Sequence, residues 1–449
     1  MQKTVALHTL GCKLNYSETT ALGRMLENDG FAKKDFDEVA DVYVINTCSV
    51  TENADKECRQ IVRKIQRKAP EALVVITGCY AQLKPKEIAA IPGVDLVLGA
   101  AEKFNIAHHL KEVSKNDPTK ICSCDVEDVN VFVPSHSIKE RTRIFLKVQD
   151  GCDYNCSFCT IPMARGKSRS DGINNVIENV KSIASGGAKE IVLTGINLGD
   201  FGKGSPSPRR DLTPPLSGGE GVNLTPTLSK GEGGKPRKRE TFFDLIKELD
   251  ALDGIERYRI SSIEPNLLSN EIIDFVANSK HFMPHFHIPL QSGSNNTLAA
   301  MRRRYKKELY AEKVGLIKTF MPHCCIGVDV IVGFPGETNE DFAETVEFLR
   351  GLDISYLHVF TYSERDNTHA LTLKPVVPVH IRNERNKILR NLSYEKMMAF
   401  TNKHIGQSRK VLFESVNKNG MMEGYTDNYI KISSPFKAEW QNEIVEWVV

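Results

Sequence analysis

Three cysteines stand close together in Gly151-Cys-Asp-Tyr-Asn-Cys-Ser-Phe-Cys159, at C-x3-C-x2-C spacing. Three thiolates from one short loop can ligate three irons of a cubane 4Fe-4S cluster and leave the fourth iron open to a chelating small molecule. A fourth thiolate would close the cluster, as in electron-transfer ferredoxins. Structural zinc asks for four ligands, commonly as paired knuckles, and no nearby Cys or His completes such a set around Cys152, Cys156 and Cys159. A second trio is dispersed: Cys12 in Thr9-Leu-Gly-Cys-Lys-Leu-Asn15, Cys48 in Asn46-Thr-Cys-Ser-Val-Thr51 and Cys79 in Thr77-Gly-Cys-Tyr-Ala-Gln82. Each follows an apolar run and precedes a helical pattern. A single such cysteine is as readily an inert core residue, but three at equivalent places suggest convergence, and hence a second cubane with one open iron.

The elements that must position these thiols are visible in the periodicity. Residues 4–9, 42–46, 73–77 and 94–98 read as strands, with helical patterns near 17–28 and 52–67. Strands alternating with helices predict a doubly wound, parallel α/β sheet, whose strand C-terminal ends share one ligand-binding edge. That edge is where Cys12, Cys48 and Cys79 can meet. This domain is expected to span 1–120, followed by a polar linker over 121–140. Six further strands at 144–148, 190–194, 258–262, 285–290, 326–332 and 356–361, most with helices between them, predict a complete or partial β/α barrel over 141–376. Barrels of this kind carry their chemistry at the C-terminal strand ends, and the Cys152 loop follows the first strand. Residues 377–449 open with a charged helical stretch to about 403 and close with short strands at 410–415, 424–426 and 429–433, a small β-barrel module. Segment 203–239 holds six Pro, seven Gly and a tandem near-repeat, so it reads as a disordered insert in the barrel. Its eight basic against three acidic residues could touch RNA. A tolerated surface insertion is the preferred reading, because long surface loops cost little stability.

The C-x3-C-x2-C spacing with Phe158 before the last cysteine resembles the signature of the radical S-adenosylmethionine (SAM) superfamily. The three dispersed cysteine contexts, the barrel and the β-rich tail together resemble the methylthiotransferase family over nearly the whole chain. The resemblance implies two 4Fe-4S clusters, an N-terminal auxiliary one on Cys12, Cys48 and Cys79 and a SAM-cleaving one on Cys152, Cys156 and Cys159. It implies an RNA-binding TRAM domain at the tail. One SAM would methylate sulfur at the auxiliary cluster; another would yield a 5'-deoxyadenosyl radical, so that a C-H bond becomes C-SCH3. It also implies SAM contacts at Phe158, Thr194, Gly195, Glu264 and Gln291, a tRNA partner, and a reduced flavodoxin- or ferredoxin-type electron donor. Residues 9–19 look closest to the branch acting on threonylcarbamoyladenosine next to the anticodon, since Lys13-Leu14 replaces the Gln-Met of the isopentenyladenosine branch and the Pro-Lys of the ribosomal-protein branch.

Gly195, at the end of the second barrel strand, could let backbone approach the SAM amino group, although small residues at strand ends are also ordinary punctuation. Glu264 and Gln291 could hydrogen-bond its ribose or carboxylate. The run Gly327 to Glu337 resembles the family's adenine-side motif and lacks the Lys-Ser/Thr ending of a phosphate loop. Arg165, Gly166 and Arg169 could face RNA or SAM, with a solvated surface as the plain alternative for Arg169. Phe413, Tyr425, Tyr429 and Phe436 could stack on unpaired bases or form the module's own core. Cys58, Cys122, Cys124, Cys324 and Cys325 join no constellation and are expected to pack or stand idle.

Composition sets the outer bounds. With 449 residues the chain exceeds one hydrophobic core, and a net charge of +2 requires any nucleic-acid partner to be met by a local basic face. The N-terminal apolar run is too short and interrupted for a signal segment, and no stretch of about 18 apolar residues offers a membrane helix. A cytoplasmic protein without a membrane partner is the expectation, and eleven cysteines in a reducing compartment fit metal binding better than disulfides. A non-catalytic iron-sulfur RNA-binding redox sensor is the reading of another class, but such a protein has no use for a SAM pocket.

Overall fold

Runs such as Val42-Tyr-Val-Ile-Asn-Thr47 and Leu73-Val-Val-Ile-Thr-Gly78 carry apolar side chains on both faces, so they belong inside a sheet covered by helices on each side. The computed structural model, which describes residues 2–48, 52–129, 131–137, 142–204, 239–417 and 419–449, places them there. Strands β1 (Thr4–Thr9), β2 (Ala32–Lys34), β3 (Val42–Thr47), β4 (Leu73–Gly78), β5 (Leu96–Leu98) and β6 (Lys120–Cys122) form one parallel sheet in the order β2-β1-β3-β4-β5-β6. Alternate residues feed two cores, because successive side chains point to opposite faces. Ala6, Tyr43, Ile45 and Ile76 enter one core; Val5, Val44, Val75 and Leu98 enter the other. The three-residue edge strands β2 and β6 carry too little periodicity to be read from sequence.

The described residues of 121–140 are packed rather than free. Its first residues finish β6, and β7 (Ser135–His136) pairs antiparallel with β8 (Arg143–Lys147). Ser135 is buried, with its hydroxyl 3.0 Å from that of Ser17 in the helix Lys13–Asn28. The second unit starts at β8, after which β9 (Gln149–Asp150) and β10 (Arg169–Ser170) make a short antiparallel pair beside the Cys152 loop. Its parallel strands continue with β11 (Glu190–Thr194), β12 (Arg257–Ile260), β13 (His285–His287), β14 (Cys325–Val332) and β15 (Tyr356–Thr361). Pairing runs β8-β11-β12 and β13-β14-β15, with a bridge between Tyr258 and Phe282 joining the halves. No pairing joins β15 to β8 among the described residues, so the barrel is partial. Strand β13 is shorter than the expected 285–290 because Pro289 has no N–H to give the ladder.

Ile144, Leu146, Ile191, Leu193, Val328 and Val330 face the surrounding helices and form the main core. The alternate residues, among them Arg143, Lys147, Glu190, Arg259, His287 and Asp329, therefore face inward. A barrel interior this polar is built for a ligand.

The helix Val379–Asn402, grouped with the tail by its charged sequence, packs on the barrel. Leu389 and Leu392 join the barrel core, and Arg382 donates to the Tyr362 carbonyl (2.9 Å). The antiparallel module follows as β16 (Ser408–Val416), β17 (Met421–Thr426), β18 (Lys431–Pro435) and β19 (Ile444–Val448), in the order β18-β17-β16-β19. Insert 203–239 lies almost wholly outside the described residues, but its flanks meet where Arg239 Nε donates to the Gly202 carbonyl (2.9 Å).

Candidate active site

The loop between β9 and the short helix Ile161–Arg165 carries Cys152, Cys156 and Cys159 at the C-terminal end of the first barrel strand. Burial pushes the Cys152 and Cys159 thiols up to about 12 and raises Cys156 as well. Donors are nevertheless aimed at each sulfur. The Tyr154 amide donates to Cys152 Sγ (3.4 Å), the Ile161 amide to Cys159 Sγ (3.5 Å), and Arg303 Nη1 to Cys156 Sγ (3.2 Å). Thiols buried at Cys156 and half-buried at Cys152 and Cys159, each with an N–H donor, suit a bound cation, whose charge offsets the desolvation of the thiolates and displaces their protons. A 4Fe-4S cluster fits this donor set.

The dispersed trio also converges. Cys12 caps the helix Lys13–Asn28, Cys48 follows β3 and Cys79 follows β4. Gly11 lies so near Cys48 that a Cβ on it would fall 2.9 Å from Cys48 Sγ, and its φ of +102° is open only to glycine at little cost. Asn15 ties the loops together, its Nδ2 donating to the carbonyls of Leu10 (2.9 Å) and Thr47 (3.0 Å). Burial raises the Cys79 thiol; Arg165 opposes that shift and Cys12 adds to it, which puts all three groups within electrostatic reach.

Arg165 joins the two sites. It closes the helix that begins just after Cys159, and that helix packs on the one beginning at Cys79. Its guanidinium donates to Asn15 Oδ1 (2.5 Å), to Glu18 Oε1 (3.1 Å) and to Asp150 Oδ1 (3.0 Å). Lys103 (2.7 Å) and Lys147 (3.1 Å) also reach Glu18 Oε1. Arg169 is buried too, bonded to Asp150 Oδ2 (3.0 Å) and to the Arg165 carbonyl (2.6 Å), which excludes a solvated surface for it. Neither arginine is free to face RNA: Arg165 locks the two domains so that their cysteine loops share one joint, and Arg169 braces Asp150 and the Arg165 backbone behind it.

Among the other expected site residues, Glu264 pairs with Arg303 and so steadies the guanidinium over Cys156. Burial raises the Glu264 carboxyl, and Arg303 pulls it back down. Gln291 sits at φ 72°, an uncommon backbone for a non-glycine residue that clusters at functional positions, and its side chain hydrogen-bonds to no described residue. Gly195 is required by crowding: a Cβ would meet Gln149 Oε1 and Leu198 Cδ2, each at 2.9 Å. Thr194 is buried at the end of β11, and Phe158 packs edge-on against Phe334 with centroids 6.2 Å apart.

The interior also holds a cavity of about 260 Å³ walled by Cys12, Lys13, Arg143, Arg259, His285 and Tyr429. Sequence reasoning missed it, because its walls come from all three units. Beside it, Asp329 Oδ1 lies 3.0 Å from His287 Nε2 and 3.3 Å from His358 Nδ1, close approaches that hold its carboxyl well below the usual range against the opposing effect of burial.

The chain matches the model of the family described as "Uncharacterized protein family UPF0004" over residues 4–99 and that of the radical SAM superfamily over residues 146–349. It is 37% identical over 439 residues to threonylcarbamoyladenosine tRNA methylthiotransferase MtaB of Bacillus subtilis (strain 168), covering 96% of this chain and 90% of the relative. Its counterpart from Aquifex aeolicus (strain VF5) is 38% identical, covering 95% and 96%. The chain belongs to the tRNA methylthiotransferase family. A tRNA-2-methylthio-N(6)-dimethylallyladenosine synthase of Clostridium botulinum (strain Loch Maree / Type A3) is more distant, at 30% identity with 92% and 86% covered. The solved radical SAM methyltransferase TsrM from Kitasatospora setae shares the fold, with a TM-score of 0.54 at 16% identity over 80% of this chain and 73% of that one.

In this methylthiotransferase the remaining cysteines are packing residues. Cys58 is buried and its thiol pushed up to about 12, as is that of Cys325, while Cys324 lies buried beside it. Cys122 lies 3.6 Å from His109 Nδ1 and Cys124 is half-buried. Of the tail's aromatics, Phe413 stacks on Trp440 in the module core, with centroids 5.4 Å apart. Tyr425 and Tyr429 stack on each other, and Tyr429 stacks on His285 (4.0 Å) to plug the barrel's N-terminal end. Phe436 is the exposed one of the four. No helix among the described residues is long and apolar enough to cross a membrane.

Proposed function

We propose that this methylthiotransferase converts N6-threonylcarbamoyladenosine next to the tRNA anticodon to its 2-methylthio derivative. The observation that carries this reading is the joining of two three-cysteine sites by Arg165, in a chain 37% identical over 439 residues to a curated enzyme of that name. Two 4Fe-4S clusters and SAM, when bound, supply the hydrogen-abstracting radical and the methylated sulfur. Cys152, Cys156 and Cys159 hold the first cluster in this proposal, and Cys12, Cys48 and Cys79 the second.

The chain's own groups do the rest by positioning. Arg303 places a positive charge on Cys156 and is itself oriented by Glu264, so it favours the thiolate and tunes the cluster's potential. Gln291, unpaired at a strand end, is offered to SAM, while Phe158 packs below the cysteine loop and Thr194 with Gly195 shapes the second strand end. The Glu18, Lys103, Lys147, Asp150 and Arg165 network fixes how far one site stands from the other and keeps water out of the joint. A reduced flavodoxin- or ferredoxin-type protein as electron donor, and the cytoplasm as the place of reaction, belong to the same proposal. The test is nucleoside mass spectrometry of tRNA from a deletion strain. Threonylcarbamoyladenosine should accumulate and its methylthio derivative vanish; an unchanged methylthio level would refute the substrate.

A further inference from the structure

The cavity beside Cys12 has a pronounced charge character. Arg143 and Arg259 line it, but each is already tied: Arg143 Nε to Glu414 (2.6 Å), and Arg259 Nε to Glu190 (2.9 Å) with its other nitrogens on the carbonyls of Thr426 and Asp427 (both 2.8 Å). Lys13 differs. It is the residue directly after Cys12, it lines the same cavity, and among the described residues its ammonium has no hydrogen bond or ion pair. Tyr429, Arg143, Asp329, Arg259 and His285 lie within electrostatic reach of it. Asp329, the one carboxylate of that set, is already engaged by His287 and His358. The cavity thus offers an ammonium with no partner among the described residues, flanked by two guanidiniums that are already engaged.

The proposed reaction places an anion there. The threonylcarbamoyl group hangs on N6 of adenine and ends in a carboxylate. C2, the carbon that gains the methylthio group, and C6, which bears N6, flank the same ring nitrogen. A base presented with C2 toward the sulfur-donating site must therefore lodge its N6 substituent next to that site. Cys12 and Lys13 wall one cavity. Its volume of about 260 Å³ is just below the roughly 300 to 1,000 Å³ of pockets that enclose a whole small ligand, so it suits a substituent better than a complete nucleoside. The geometry points to Lys13 as the specificity-determining residue that pairs with the threonyl carboxylate of the substrate. This inference rests on the function proposed above. The carboxylate of SAM is the other anion of the same chemistry, and the test separates the two.

The experiment uses the full-length reconstituted enzyme and anticodon stem-loop RNA bearing threonylcarbamoyladenosine, either as the free acid or as its methyl ester. The two RNAs have identical phosphates and differ only at the end of the substituent, a carboxylate in one and its neutral methyl ester in the other. Wild-type enzyme should bind the acid about 10- to 100-fold more tightly than the ester, the scale of one charge-assisted contact. In Lys13→Gln that preference should fall to about threefold or less, the loss appearing in Kd and KM more than in kcat, with iron content and SAM binding unchanged; Lys13→Arg should keep most of the preference. If Lys13→Gln lost iron, Lys13→Met would be read in its place, and the Kd ratio of the two RNAs needs no turnover. A neutral variant with wild-type discrimination would overturn the assignment, as would one with weakened SAM binding and intact discrimination. Wild-type enzyme that fails to methylthiolate the free-acid RNA would overturn the function itself, an outcome visible before any variant is made.

Discussion

Glu18→Gln is the sharpest perturbation of the joint between the cysteine sites. Glu18 is fully buried, and its two oxygens accept from Lys103, Lys147 and Arg165 at 2.7 to 3.2 Å. With Asp150 it balances four buried cations, Lys103, Lys147, Arg165 and Arg169. The variant leaves those four cations with one carboxylate and adds an amide donor among donors. Removing one partner of a buried ion pair costs about 3–5 kcal/mol, because the remaining charges stay desolvated, against a typical total stability of roughly 5–15 kcal/mol. For a domain of this size class each kcal/mol moves the melting midpoint by about 2–4 °C, so a fall of roughly 6–20 °C is expected. The assay is anaerobic thermal unfolding of cluster-free protein followed by far-UV circular dichroism. The pH dependence carries a sign. Burial alone would raise the Glu18 carboxyl, but Arg165, Lys103 and Lys147 outweigh it and hold it well below the usual carboxylate range. A depressed carboxylate stabilises fully above its unfolded pKa of about 4.3 and loses that contribution as pH falls toward the folded value. The gap between wild type and variant should therefore be full at pH 7 and narrow below about pH 4. A gap under about 3 °C at pH 7 would refute the energetic role of the network.

Three further outcomes follow from the same geometry. Anaerobic reconstitution of wild type should yield about eight irons, falling to about four with SAM cleavage lost in the Cys152→Ala, Cys156→Ala, Cys159→Ala variant; about four in wild type would mean that the N-terminal trio holds no cluster. Gly11→Ala should lose about four irons while SAM cleavage persists, because the new Cβ would fall 2.5 Å from Cys48 Cβ at a φ of +102°; iron counting and electron paramagnetic resonance read it. Arg303→Gln should keep its iron yet show a more negative reduction potential and slower SAM cleavage, since it removes the cation on Cys156; spectroelectrochemistry finding an unchanged potential would discount that charge.

Much of the scaffold was legible because its signals are local. Val42–Thr47 and Leu73–Gly78 announce buried strands by composition, and all six barrel strands appear within a few residues of their expected places. What escaped reading is instructive. The helix Lys13–Asn28 buries Asn15, Ser17, Glu18, Thr19 and Thr20, so its amphipathic pattern blurs and its start appeared near 17 instead of at the Cys12 cap. Arg169, polar by type and next to a loop, suggested RNA, SAM or a solvated surface, yet it bonds Asp150 in the interior. For Tyr425 and Tyr429 base stacking and the module's own core were equally open, yet they close the barrel from below.

The sequence by itself determined the chemistry and the repeating elements: one loop with three thiols at iron-binding spacing, and three more thiols each at a strand end. Both follow from spacing over a handful of residues. Only the tertiary structure decided which charges are buried and what they face. Glu18 meets Arg165 across 147 residues of chain and Arg259 meets the Thr426 carbonyl across 167. Local periodicity holds no information about partners that far apart, because their pairing is settled by how three separately formed units close around one polar interior.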